Sequence, residues 1–137
     1  MTNEEKQLLF KDLCGRLPHK VRCKCVNGLG GGKTEKGVLK YVGNCYGVIS
    51  NYYEDVPLHS GLVNNVFYPI ENIKPYLRPM SSMTEEEKKT IQSFFPSGLD
   101  TLEEFTDYIE WLNENHFDFR GLIKRGLAIE APEDMYI

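Results

Sequence analysis

Long hydrophobic runs are missing from this 137-residue chain. No stretch approaches the roughly 18 consecutive apolar residues that a bilayer-crossing helix needs. The opening MTNEEKQLLF is too acidic and polar to be a signal peptide, so a cytoplasmic address is expected, with no membrane partner. Histidine is held to three residues and cysteine to four, Cys14, Cys23, Cys25 and Cys45. Without a secretory signal these cysteines read as reduced, buried thiols rather than a disulfide framework. A zinc site usually shows two ligand pairs at recognisable spacing, whereas Cys23 and Cys25 form a single pair one residue apart, with only Cys45, His19 or His59 to complete it. No nucleophile elbow or other catalytic signature surrounds such combinations as Cys45 or Ser60 with His59, and enzyme activity is not expected. No cofactor is expected either. Internal repeats are absent, and the only low-complexity stretch is a glycine run.

That run, NGLGGGKT over residues 27–34, comes close to a phosphate-binding loop of the G-x-x-x-x-G-K-[ST] type, with Asn27 where the first glycine belongs and Gly32, Lys33 and Thr34 in place. Such a loop needs a buried parallel strand before it and a helix N-terminus after it. Here the preceding strand alternates with charge, and the following EKGVLKYV contains Gly37 and two β-branched residues. A glycine-lengthened hairpin loop opening on the favoured Asn-Gly pair is therefore expected, with nucleotide binding a minor alternative.

Hydrophobic content of 41% and aromatic content of 12% suffice for one packed core, and a single domain over 1–137 is expected. Residues 1–18 read as a helix: Thr2 and Glu5 have capping-box spacing, Leu8, Leu9, Leu13 and Leu17 form the apolar stripe, and Gly15 and Pro18 end it. Residues 19–79 read as antiparallel β structure. Val21, Cys23 and Cys25 alternate with Arg22 and Lys24, and further strands are expected at 37–43, 45–53 and 62–70. Pro75 and Pro79 discourage helix before Thr84 and Glu87 form a second capping box at the head of residues 80–137, the C-terminal helical region. There one helix follows Thr84, a second follows Asp100 with Leu102, Phe105, Ile109 and Leu112 on one face, and a short third is expected at FRGLIKRG before an acidic tail. The fold class is α+β: an N-terminal helix, a central antiparallel sheet or small SH3-like β-barrel of about four or five strands, and C-terminal helices packed against it.

The net charge of −4 conceals a division, +3 over residues 1–75 and −7 over 76–137. Between residues 16 and 40 seven cations face only Glu35. Arg22, Lys24, Lys33, Lys36 and Lys40 are the candidate contacts to a nucleic-acid backbone, with Tyr41, Tyr46, Tyr52 and Tyr53 near enough in sequence to stack on bases. The acidic sequence pI of 5.4 argues against that reading. The bland alternative is a solvated sheet face neutralised by acidic helices folding over it. In the C-terminal region Tyr108, Trp111, Phe117 and Phe119 are the candidate anchors for a protein partner or for self-association. A non-enzymatic binding module is expected, with protein interaction ahead of nucleic acid.

The stretches MTNEEKQLLFKDLCGRLP, IKPYLRPMSSMTEEEKK and WLNENHFDFRGLIKRGLAIEAPEDMY resemble a group of small uncharacterised proteins of gut Bacteroidales, many carried by phages or mobile elements. The resemblance covers both ends of the chain and implies an accessory role. It brings no reaction and no assigned residues with it.

Overall fold

The structure is a computed structural model, and it describes residues 1–26, 35–43, 46–50, 65–94 and 102–136. The glycine run with Lys33, and Cys45, Tyr52, Tyr53, His59 and Ser60, lie outside the described residues.

Helix α1 (Asn3–Arg16) starts at the expected capping box: Glu5 N donates to Thr2 Oγ1 and Thr2 N donates to the Glu5 carboxylate, both at 3.1 Å. A single 3-10 turn containing Pro18 follows, and Lys20, at φ 55°, turns the chain into the sheet. The strands are β1 (Arg22–Cys25), β2 (Glu35–Val42), β3 (Tyr46–Ser50), β4 (Asn65–Pro69), β5 (Ile73–Leu77) and β6 (Ile129–Glu130), in the order β4-β3-β2-β1-β5-β6. All neighbours run antiparallel except β5 and β6, which are parallel. Among the described residues the sheet is open, with β4 and β6 as its edges, so the barrel is corrected to a mixed open sheet.

Two of these strands were not expected. Pro75 obscures β5, because proline has no N–H for the ladder and usually marks an edge or no strand at all. Its partner across the ladder is Cys23, a position that must therefore be non-hydrogen-bonded, leaving the proline nitrogen on the β6 side. There β6 pairs only with Tyr76 and Leu77, so no ladder bond is forfeited. Strand β6 straddles the start of the expected acidic tail, EAPEDMYI, which begins at Glu130.

Leu9 and Leu13 of α1 pack with Cys23, Cys25, Leu39, Ile49, Tyr68, Ile73 and Leu77 of the sheet and with Leu122, Leu127 and Ala128. Burying each large aliphatic side chain contributes about 1.5–3 kcal/mol. Helices α2 (Glu85–Phe94) and α3 (Leu102–Glu114) supply nothing to this cluster, so the cover expected from the C-terminal helices comes from α1 and residues 122–128. Residues 119–126 form turns instead of a short helix. Gly121 and Gly126 sit at φ 71° and 77°, and the Asp118 carboxylate accepts from Leu122 N at 2.8 Å and Ile123 N at 3.0 Å. Of the cysteines described, Cys23 and Cys25 are buried in the core as expected, but Cys14 is exposed on α1.

A buried ion pair ties these parts together. Asp12 and Arg16, both without solvent exposure, meet at 2.7 Å through Oδ2 and Nε, and Arg16 Nη2 also donates to the Phe117 carbonyl at 2.7 Å. Arg120 Nη1 donates to the second Asp12 oxygen at 2.9 Å.

Candidate nucleic-acid interface

Alternation along β1 sends Cys23 and Cys25 into the core and leaves Lys24 exposed and Arg22 half-buried on the opposite face. Register does the rest. Lys24 stands directly opposite Lys36 on β2 and directly opposite Lys74 on β5. Three lysines thus form a row across adjacent strands, spanning about 10 Å at the usual strand separation of about 4.8 Å. Like charges directly opposite each other in a ladder destabilise it. None of the three pairs with a carboxylate among the described residues, and the Lys36 ammonium lies 5.9 Å from the centre of the Tyr76 ring.

Of the other candidate cations, Arg22 and Lys40 stand apart from this row, and Lys33 lies outside the described residues. Arg22 is occupied within the fold: its N–H donates to the Tyr136 hydroxyl at 3.0 Å and its guanidinium lies 5.9 Å from the Tyr136 ring centre. Lys40 is exposed, at the register shift between Leu39 and Tyr41. Tyr41 is 49% exposed. Lys74 joins the row although it was not singled out in the sequence. Its signal is the alternation of Ile73 and Lys74, cut short by Pro75.

A cleft of about 250 Å3 continues the row, lined by Lys24, Val26, Glu71, Asn72, Lys74 and Ile129. Its floor is fixed by a hydrogen bond from Val26 N to the Asn72 carbonyl at 3.1 Å. A larger cleft of about 530 Å3 lies between Arg78, Glu87, Glu130 and Tyr136. Its one arginine is neutralised, since Nη1 and Nη2 of Arg78 donate to both Glu87 oxygens at 2.8 and 2.7 Å. That fork, with backbone donation from Thr84, holds the Glu87 carboxyl down at about 2.

The aromatic candidates are largely engaged with one another. Phe117 is fully buried, stacked on half-buried Trp111 with ring centres 5.7 Å apart and covered by the Arg78 guanidinium at 4.2 Å. Tyr108 and Trp111 both contact Phe94, at 6.4 and 6.3 Å. Phe119 is half-buried beneath Arg16 and Arg120, whose guanidinium carbons lie 5.5 and 4.4 Å from its ring centre.

No helix among the described residues is long and apolar enough to cross a membrane. No family model, no curated protein and no solved structure matches the chain.

Proposed function

We propose that this chain is a binding module that docks the phosphate backbone of a nucleic acid on the row formed by Lys36, Lys24 and Lys74. The observation that carries the reading is the register, which sets three lysines side by side, none paired with a carboxylate among the described residues, at a cost to sheet stability. A polyanion laid across the strands relieves that repulsion and releases its own counterions on binding. Such contacts position a ligand without reading its sequence, which fits an accessory role. Of the contacts proposed from the sequence, Lys24 and Lys36 stand in the row, with Lys74 added.

The test is fluorescence anisotropy with labelled mixed-sequence oligonucleotides at low and physiological salt. Saturable binding that weakens with salt is expected, log affinity falling by about 0.7 per phosphate contact for each tenfold rise in salt on a single strand. Lys24→Glu with Lys74→Glu should lower affinity at least tenfold and flatten that slope, while Lys89→Glu on α2 should leave both unchanged. Absence of binding at low salt would remove the reading.

A protein partner is the second reading, favoured by Leu102 and Phe105 one turn apart on α3 and 81% and 43% exposed. Sedimentation of the chain and of a Leu102→Ser, Phe105→Ser variant tests self-association there.

A further inference from the structure

We infer that the cleft at the end of the lysine row receives an unpaired base of a single-stranded nucleic acid, with the flanking phosphates held by Lys24 and Lys74. The inference rests on the backbone reading of the row and adds the chemical class of the ligand. Lys24 and Lys74 belong to both features, so a strand lying on the row passes over the mouth of the cleft. At about 250 Å3 the space is smaller than the roughly 300–1,000 Å3 that encloses a drug-sized ligand, and it suits one planar ring system.

The lining matches a base in its chemistry. Val26 and Ile129 supply half-buried apolar walls for the ring faces. Asn72 offers an amide donor and acceptor to the ring edge, and the Glu71 carboxylate offers acceptors alone. Glu71, whose carboxylate lies 4.0 Å from the Lys6 ammonium, also sets the orientation. Its negative charge repels phosphate and attracts an exocyclic amine, while the two lysines do the reverse, so the ligand enters base first toward Glu71 with its backbone against the row. Paired bases are stacked inside a duplex and cannot enter such a cleft, whereas unstacked bases of a single strand can be splayed into it.

The experiment compares three labelled probes on the full chain at fixed salt: an oligodeoxynucleotide, an oligomer of the same length made abasic throughout, and the duplex. The unmodified strand should bind at least about fivefold more tightly than the abasic one, the lower end of what a stacked base contributes. Ile129→Ser and, separately, Val26→Ser should erase the difference and leave abasic binding unchanged. Equal affinity for abasic and unmodified strands, or tighter binding of the duplex, with binding still lost in Lys24→Glu, would overturn the cleft's role and leave the row standing. If none of the probes binds at low salt, row and cleft fall together.

Discussion

The rings of His116 and Tyr136 lie stacked, centres 3.7 Å apart and planes 17° from parallel. The Tyr136 hydroxyl donates to the Tyr76 carbonyl at 2.8 Å and accepts from Arg22 N at 3.0 Å. One side chain thereby joins the final turn to β1, β5 and the end of α3. Burial pushes the Tyr136 phenol well above its ordinary range. Tyr136→Phe should cost about 1–3 kcal/mol in urea denaturation, because it strands the Arg22 N–H. Tyr136→Ala should cost more, losing the stacked ring as well.

His116 makes the fold acid-sensitive. Burial first, and then the charges of Arg16, His19, Arg78 and Arg22, lower its imidazole to about 3. The unfolded chain takes up this proton near pH 6.5 and the folded chain only near 3, so the unfolded state holds more protons between those values. Stability from this group is full above pH 6.5 and falls steadily as the pH drops toward 3, by an amount on the order of a few kcal/mol. Glu87 acts in the same direction lower down, from 4.5 to about 2. His116→Asn, with a side chain that tolerates the positive φ of 63°, should flatten the stability profile between pH 5 and 6.5. An unchanged slope there would acquit the histidine.

The Asp12 and Arg16 pair should be costly to halve. Asp12→Ala leaves the fully buried guanidinium of Arg16 without its carboxylate and should destabilise by about 3–5 kcal/mol. Asp12→Leu combined with Arg16→Met should cost less than the sum of the separate changes, which a double-mutant cycle would read directly.

On the proposed reading, function and stability oppose each other at Lys24. Lys24→Glu replaces two like-charge neighbours with two attractive ones and should raise stability by a few tenths to about 1 kcal/mol while removing anion binding. A destabilised variant would mean that the row carries no repulsion worth relieving.

Elements governed by local chemistry could be read from the sequence. Thr2 with Glu5 and Thr84 with Glu87 announce two helices, and both boxes form. The alternation of Cys23 and Cys25 with Lys24 announces β1 and the outward cation. Elements decided by distant partners could not. Strand β5 survives Pro75 only because of where β6 stops, and residues 119–126 lose their helix to two glycines and the Asp118 cap. The row divides in the same way: Lys24 and Lys36 follow from alternation and a single hairpin, but Lys74 requires knowing which strand lies on the far side of β1.

That order of strands also bears on time. Lys36 meets Lys24 across neighbouring strands of the sequence, whereas Lys74 arrives from fifty positions away, 24 to 74, through a contact that closes a far longer loop. Longer loops carry the greater closure entropy and delay the pairings that depend on them. A chain emerging from synthesis therefore acquires its third cation, and with it the cleft, only after β5 has docked. On the proposed reading, half-folded copies with only Lys24 and Lys36 in place would hold a nucleic acid more weakly, and full affinity would be the signature of a finished molecule.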